Sequence, residues 1–276
     1  MAKELCLVHA NCQGPPLVQR LMACPDFARA FECRLFTNYV GEPVPAAALA
    51  RCGLFLHQHL GPAWGELASE RLAARLPASA TRLCVPNMCF TGYWPLWSGR
   101  PGFDYRCEDL ETFLDLGRPA EETLVLFLRS DPAQRHDLEG LLARTLDRER
   151  HREGHTPVKY VDLIAAGHAT RRLFNTVNHP GPGLMDHAAR GVLRALGLTA
   201  PDRAFEALGD PFPEFEQPIH PGVARFFGWP FAGPETRYNV YGRPMTYARY
   251  AANYVAARRA GVTDFIAYLQ GADHAA

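Results

Sequence analysis

Short apolar runs alternate with amphipathic segments through the first third of the chain. Three apolar runs have the length of buried strands, at residues 5–8, 54–56 and 83–86, and residues 31–36 alternate in the manner of a strand. Helical patterns lie between them, at residues 15–22, 46–50 and 64–76. Consecutive parallel strands need crossovers of about a dozen residues or more, and these helices supply them. The pattern predicts an α/β fold, in which a small parallel sheet is flanked by helices.

The rest of the chain has mostly helical periodicity. Helical patterns are found in residues 138–152, 162–168, 184–196 and 247–259. Residues 121–129 combine acidic residues with a continuous apolar run and are compatible with a strand or a helix, of which we favour the helix. Residues 158–161 are compatible with a short edge strand or with entry into a helix. We expect residues 1–120 to form the α/β core. Residues 121–276 should form a mostly helical part that completes the same active site.

Polar side chains follow three of the apolar runs, at the points where the strands should end. They are Asn11, Cys12, Gln13, Gln58, His59 and Asn87. The carboxyl ends of parallel strands lie at one edge of a sheet, where chemistry collects in open α/β folds. We therefore expect these residues to form one polar rim.

Cys12 lies in the turn between the first strand and the first helix. That helix opens with Pro15 and Pro16, which a first helical turn tolerates. The helix dipole and free N–H groups at such a position favour a thiolate, which indicates a nucleophile. The alternative is a half-buried structural thiol, because free cysteine is among the most buried residue types.

Composition and charge exclude several classes of partner. The chain has 276 residues, with 29 Lys and Arg against 29 Asp and Glu. Without a basic field, we expect no nucleic-acid partner. No stretch approaches the roughly 20 apolar residues of a membrane helix, and the first residues lack the apolar core of a signal peptide. We therefore expect a cytoplasmic protein without a transmembrane segment.

The eight cysteines all lie in the first part of the chain, and none forms a C-x-x-C pair. Zinc ligands usually show tighter paired spacing, so we expect no metal. A disulfide framework is not expected in a cytoplasmic chain of this size. Most of these thiols should therefore be small core residues.

His179 lies in a loop rich in proline and glycine, just ahead of the helical pattern at residues 184–196. If His179 takes part in the reaction, it is the candidate general base, and the fold would bring it close to Cys12. The alternative is an ordinary histidine of a surface loop.

Four blocks of sequence, in order along the chain, resemble those of a known family. They are Asn11-Cys12-Gln13-Gly14, His57-Gln58, residues 90–95 and residues 173–180. Together they are similar to the WcbI-type polysaccharide biosynthesis acetyltransferase family, which is distantly related to SGNH-type esterases. The resemblance implies an SGNH-like core and a coenzyme A-dependent O-acetyltransferase. Its substrates would be acetyl-coenzyme A and a sugar hydroxyl of a capsular or other surface polysaccharide.

The relation to esterases implies roles for individual residues. Cys12 takes the place of the esterase serine and would carry the acyl group as a thioester. His179 would act as the base. Thr176 stands where a late acid would fall, so His179 would be oriented by a backbone carbonyl or by another acid, such as Asp162 or Asp186.

Acyl transfer also needs donors for the developing oxyanion. The candidates belong to the polar rim that includes Asn11. They are the backbone N–H groups of Cys12 and Gln13 and the side-chain amides of Gln58 and Asn87.

The phosphates of coenzyme A need cationic partners. Lys159, Arg171 and Arg172 are the candidates, with plain surface charge as the alternative. His59, Tyr93 and Trp94 are candidates for a substrate groove, although aromatic residues also pack cores.

Two other functions are compatible with the same residues. One is a cysteine-dependent, SGNH-like esterase or hydrolase, in which water is the acceptor. The other is a non-catalytic sugar-binding protein of a polysaccharide assembly system. The sequence leaves open the sugar, the hydroxyl, the acyl group and the oligomeric state, and a homo-oligomer is compatible with it.

Overall fold

A computed structural model describes residues 3–271 of the chain. The strands in chain order are β1 (Glu4–Ala10), β2 (Phe31–Thr37), β3 (Cys52–His57), β4 (Thr81–Cys84), β5 (Trp97–Ser98), β6 (Arg106–Cys107), β7 (Phe174–Thr176), β8 (His179–Pro180), β9 (Tyr238–Val240) and β10 (Arg243–Met245). The helices are α1 (Gly14–Met22), α2 (Pro25–Ala30), α3 (Ala46–Ala50), α4 (Ser69–Ala73), α5 (Glu108–Leu114), α6 (Ala120–Arg129), α7 (Pro132–Arg135), α8 (Leu138–Glu153), α9 (Val161–Gly167), α10 (Pro182–Ala195), α11 (Pro221–Phe227), α12 (Tyr247–Arg259) and α13 (Phe265–Gly271).

The chain forms two compact units, each assembled from several segments. Among the described residues, the first unit contains residues 3–89, 147–166 and 178–212. The second contains residues 90–146, 167–177 and 213–271. The division predicted at residue 120 does not coincide with these units, because segments far apart in sequence return to each of them.

The first unit is built on a parallel four-stranded sheet with the order β2-β1-β3-β4. The central strand, β1, is buried from Cys6 to Ala10. Leu7 packs in one core cluster with Phe55, its register partner in β3. Burying one such side chain completely contributes about 1.5–3 kcal/mol. The predicted α/β fold, a small parallel sheet flanked by helices, is confirmed.

The turn from β1 into α1 is fixed by close packing. A Cβ atom on Gly14 would lie 2.6 Å from Cδ1 of Leu35 in β2 and 3.1 Å from Cβ of Ala10, so a side chain at this position would force Leu35 to move. The backbone N–H of Gly14 donates to the carbonyl of Asn11 at 2.9 Å, which closes the turn. These two contacts hold Cys12 at the carboxyl end of the central strand.

The helix predicted over residues 64–76 is interrupted in the structure. Residues 62–67 form a 3₁₀ turn, and only Ser69–Ala73 are α-helical. The backbone leaves the helical region twice, at Gly65, with a φ of 57° and a ψ of −122°, and at Ala68, with a ψ of 136°. Residues 158–161, left open by the sequence, prove to be the entry into α9.

The second unit is mainly helical around a core that is rich in aromatic residues. Phe127 of α6, Tyr254 of α12 and Phe265 of α13 are all buried in one cluster. The hydroxyl of Tyr254 donates to Glu111, which also pairs with Arg258 at 2.7 Å. Among the described residues, no helix has the length and apolar character needed to cross a bilayer.

Candidate active site

The carboxyl edge of the sheet carries a network of side-chain amides. The backbone N–H of Asn11 donates to Gln58 Oε1 at 2.8 Å, and Gln58 Nε2 donates back to Asn11 Oδ1 at 3.2 Å. Asn11 Nδ2 donates to Asn87 Oδ1 at 3.1 Å. The ends of β1, β3 and β4 are therefore connected through their polar side chains, as the shared edge predicts.

Asn38 belongs to the same network, although it was not among the predicted rim residues. It follows β2, it is buried, and its Nδ2 donates to Gln58 Oε1 at 3.4 Å. The rule that found the other rim residues, a polar side chain directly after a strand, would have found this one too.

Gln13 connects the turn after β1 to two distant loops. Its Nε2 donates to the carbonyls of Met88, at 2.7 Å, and Asn178, at 3.0 Å. Its Oε1 accepts from the N–H of Met88 at 3.1 Å. The Gln13 amide is thus fully engaged and buried, and it holds the segment before His179 against the turn that carries Cys12.

Cys12 is half-buried and contacts Asn178 directly. The distance from Asn178 Nδ2 to Cys12 Sγ is 3.4 Å, which is hydrogen-bonding distance for a sulfur acceptor. The two residues are 166 positions apart in sequence. The fold therefore brings the residue next to His179 into contact with the candidate nucleophile.

Two of the predicted oxyanion donors are already occupied. Both protons of Gln58 Nε2 are directed to acceptors, Asn11 Oδ1 and the carbonyl of Pro86 at 3.1 Å. The backbone N–H of Gln13 donates to Asn11 Oδ1 at 2.9 Å. By contrast, Asn87 Nδ2 makes no hydrogen bond within the described part of the chain. The amides of Asn87 and Asn178 are therefore better placed for this role than that of Gln58.

His179 begins β8 and stacks on Phe212, with ring centroids 4.2 Å apart and an interplanar angle of 4°. Burial lowers the pKa of His179 to about 4, and the charge of Asp210 acts in the opposite direction. Within the described residues, His179 Nδ1 is buried without a hydrogen-bond partner. At neutral pH the ring is therefore uncharged, which is the form that can accept a proton.

Neither acid predicted to orient His179 is engaged with it. Asp186 accepts from Arg20 Nε at 2.7 Å, and Asp162 is exposed and lies 3.5 Å from Arg150. The acid that acts on His179 is Asp210, which was not among the acids predicted from the sequence. It lies in the proline-rich stretch after α10, and no local motif distinguishes it.

The loop that carries Asp210 is anchored from inside the first unit. The side chain of Arg20 is fully buried, and its Nη2 donates to the carbonyl of Gly209 at 3.2 Å. The N–H of Phe212 donates to Asp210 Oδ1 at 2.9 Å. These contacts fix the positions of Phe212, whose ring stacks on His179, and of Asp210, whose charge acts on the His179 ring.

Known proteins share the sequence pattern and the fold of this chain. The sequence model of a family described as polysaccharide biosynthesis enzyme WcbI matches residues 5–201. The chain belongs to the WcbI family. No curated protein matches it. A solved structure of WcbI matches with a TM-score of 0.75 and 23% identity, over 98% of this chain and 99% of that one. That structure is described as a novel polysaccharide biosynthesis enzyme, in native form without a disulfide bond between coenzyme A and one of its cysteines.

In this WcbI-family chain, the predicted phosphate-binding residues have different surroundings. Lys159 Nζ donates to the carbonyls of Glu153 and Thr156, both at 2.9 Å. Arg172 donates to the carbonyls of residues 174, 175 and 217, each at 2.9 Å, which makes it a structural crosslink. Arg171 is exposed. Of the three cations, Arg171 is therefore the one most available to a ligand.

The three residues predicted to line a substrate groove are engaged with protein groups. His59 stacks on His155, with centroids 3.6 Å apart. Tyr93 is buried, and its hydroxyl lies 2.9 Å from the carbonyl of Arg171. The indole of Trp94 donates to the carbonyl of Pro218 at 3.0 Å. Tyr93 and Trp94 therefore have the contacts of core residues.

Proposed function

We propose that this WcbI-family enzyme is a coenzyme A-dependent O-acetyltransferase. It acts on a sugar hydroxyl in the synthesis of a capsular or other surface polysaccharide. The observation that carries the proposal is the 3.4 Å contact between Asn178 Nδ2 and Cys12 Sγ. It places a half-buried thiol beside the segment that carries a neutral histidine. The description of the related WcbI structure refers to coenzyme A and a cysteine, and Cys12 is our candidate for the corresponding thiol.

Cys12 is the nucleophile in this proposal. Its sulfur forms a bond to the acetyl carbon of acetyl-coenzyme A, and the bond from that carbon to the coenzyme A sulfur breaks. The acetyl group passes from one thioester to another, so the step is nearly balanced in free energy. The N-terminal end of α1 follows Cys12 directly, and its dipole favours the thiolate.

His179 acts in the second half of the reaction. The sugar hydroxyl oxygen bonds to the acetyl carbon, its proton passes to His179, and the Cys12 thiolate leaves. A pKa of about 4 keeps the imidazole neutral but makes it a weak base. Because the charge of Asp210 raises that pKa, we assign Asp210 the role of supporting the protonated ring.

Asn178 and Asn87 supply the candidate oxyanion donors. Both are side-chain amides at the rim, and Asn178 already lies against the sulfur. Losing one such donor typically costs about 3 kcal/mol in the transition state.

The same proposal includes a cytoplasmic location and a sugar or polysaccharide acceptor.

Trapping the acetyl group tests the proposal most directly. The protein is incubated with acetyl-coenzyme A without acceptor, quenched in acid and mapped by peptide mass spectrometry. We expect the acetyl group on Cys12. Cys84 and Cys107 are internal controls, because burial raises the pKa of each thiol to about 11. Neither control thiol should therefore be acetylated at neutral pH, since the thiolate is the nucleophilic form.

Two variants complete the test. Cys12→Ala should lose both the adduct and acetyl transfer to a sugar acceptor, whereas Cys84→Ser should retain both. Transfer that persists in Cys12→Ala would contradict the thioester mechanism. Release of acetate at the same rate with and without a sugar acceptor would identify a hydrolase instead.

A further inference from the structure

Two cysteines of the parallel sheet lie directly opposite each other. Cys6 of the central strand β1 and Cys33 of the edge strand β2 are register partners, and both thiols are free. Neighbouring strands of a sheet are about 4.8 Å apart, and the Cα atoms of a disulfide are usually roughly 4.4–6.8 Å apart. The spacing of the two strands is therefore one that a disulfide bond can bridge.

The side chains of Cys6 and Cys33 share one face of the sheet. Side chains alternate along each strand, so directly paired residues of neighbouring strands point to the same side. Leu7 points to the other side, where it packs in a core cluster that includes Cys52. The Cys52 thiol donates to the carbonyl of Leu54 at 3.1 Å. Cys33 is therefore the thiol that meets Cys6 across the sheet.

A hydrogen bond between the two thiols makes them chemically unequal. It raises the pKa of the Cys6 thiol, and burial acts in the same direction. The same hydrogen bond lowers the pKa of the Cys33 thiol against the effect of burial, and the charge of Lys3 adds to the lowering. A hydrogen bond to an ionised group favours the ionised form. Cys33 is therefore the thiol that ionises, and Cys6 is the donor.

The two residues also differ in exposure. Cys6 is fully buried in the central strand, whereas Cys33 is partly exposed on the edge strand. Oxidation of cysteine depends on thiolate character and on access, and thiols that are oxidised reversibly often have a second cysteine beside them. Cys33 has the features of the thiol that is oxidised first, and Cys6 has the position of the thiol that then reacts with it.

We propose that Cys6 and Cys33 form an oxidation site, at which a peroxide converts the two thiols reversibly into a disulfide bond between β1 and β2. The site is separate from the proposed acyl transfer. Cys6 and the end of β1 at Ala10 are four residues apart, or about 13 Å at roughly 3.3 Å per residue, and Cys12 lies beyond that end.

With hydrogen peroxide, the reaction has two steps. The sulfur of the Cys33 thiolate bonds to one oxygen, the O–O bond breaks, and the other oxygen leaves as hydroxide, which takes up the proton that Cys33 released on ionising. The Cys6 sulfur then bonds to the sulfur of the Cys33 sulfenic acid, the S–O bond breaks, and the hydroxyl group leaves with the Cys6 proton as water. The two thiols lose two electrons, and the peroxide is reduced to two molecules of water.

Peptide mass spectrometry of the full chain tests the proposal. The reduced protein is treated with hydrogen peroxide at neutral pH, its remaining thiols are blocked with iodoacetamide, and it is digested with trypsin without reduction. Cys6 and Cys12 lie in one tryptic peptide, residues 4–20, and Cys33 lies in another, residues 30–34. The measurement is therefore made on wild type and on Cys12→Ser. We expect the two peptides to be joined in both proteins and to be separated by dithiothreitol.

Three further variants assign the roles of the two thiols. Cys33→Ser, at a partly exposed position, should lose the joined peptide. Cys6→Ala should also lose it, and Cys33 should then remain as a sulfenic acid that dimedone labels, because the second thiol is missing. Cys84→Ser is the matched control at another partly exposed cysteine, and it should keep the joined peptide at the wild-type level.

Several outcomes would overturn the proposal. One is a wild-type protein in which peroxide leaves Cys6 and Cys33 unlinked, whether both stay reduced or Cys33 is oxidised alone. Another is a Cys12→Ser protein in which Cys6 is linked to a cysteine other than Cys33. A third is a joined peptide that occurs only in a covalent dimer on a non-reducing gel. The Cys33→Ser result is decisive even where Cys6→Ala does not fold.

Discussion

Asn178→Asp is the substitution that tests the core of the site most sharply. The change is nearly isosteric. It replaces the amide nitrogen that lies 3.4 Å from Cys12 Sγ by a carboxylate oxygen. The backbone carbonyl of Asn178, which accepts from Gln13, is unchanged. The variant therefore removes a donor to the sulfur and adds a negative charge beside it, with little change in packing.

The expected effect has two parts of different size. Losing a hydrogen bond of this kind costs about 0.5–1.5 kcal/mol. A like charge about 4 Å away costs the thiolate roughly 1 kcal/mol in water and roughly 4 kcal/mol near a protein surface. The charge is therefore the larger effect. At about 1.36 kcal/mol per pKa unit, the charge alone should raise the pKa of the Cys12 thiol by roughly one to three units.

The assay is the rate of alkylation of Cys12 by iodoacetamide as a function of pH, followed by peptide mass spectrometry. The midpoint should move to higher pH in Asn178→Asp by the amount given above. Asn178→Ser keeps the site neutral and should show a much smaller shift. An unchanged midpoint in Asn178→Asp would show that residue 178 does not act on the sulfur, and would refute the reasoning about the site.

Four further changes have definite expected outcomes. Asp210→Asn removes a charge that raises the pKa of His179, so the acidic limb of the pH–rate profile should move to lower pH. In the native state the pKa of His179 is lowered from 6.5 to about 4. The unfolded state therefore binds the extra proton, and stability should fall as the pH drops from 6.5 toward 4. His179→Gln should flatten this dependence in urea titrations. Arg20→Met leaves the acceptors of a fully buried guanidinium unpaired, and should destabilise by about 3 kcal/mol in the same titrations. Gly14→Ala places a Cβ 2.6 Å from Leu35, and should cost about 1–3 kcal/mol by differential scanning calorimetry. A melting temperature equal to wild type would contradict this account of the turn.

Local patterns account for most of the first unit. The apolar runs predicted the strands of the parallel sheet, because a buried strand needs a short run of apolar residues and little else. The helix α3 begins and ends at the predicted residues, as does α12 in the second unit. The turn that carries Cys12 was also predicted from the sequence, because the prolines that follow it are favoured in the first turn of a helix by their fixed backbone geometry.

Gly65 shows where local patterns stop being sufficient. The apolar spacing of residues 64–76 is helical, yet the backbone leaves the helical region at this glycine. Glycine adopts that conformation at little cost, so the choice falls to the surrounding structure. Adding up the helix propensities of the neighbouring residues therefore does not predict this break in the helix.

The sequence by itself determined the sheet, its polar edge and the two candidate chemical residues, Cys12 and His179. Only the tertiary structure decided how these groups are partnered. It placed Asn178 on the sulfur, directed both protons of Gln58 to other acceptors and set Asp210 near His179. The reason is physical, because a hydrogen bond or a charge acts over only a few ångströms. The residues that come this close in the fold are far apart in the sequence, and the local pattern around each of them does not predict which partner it will contact.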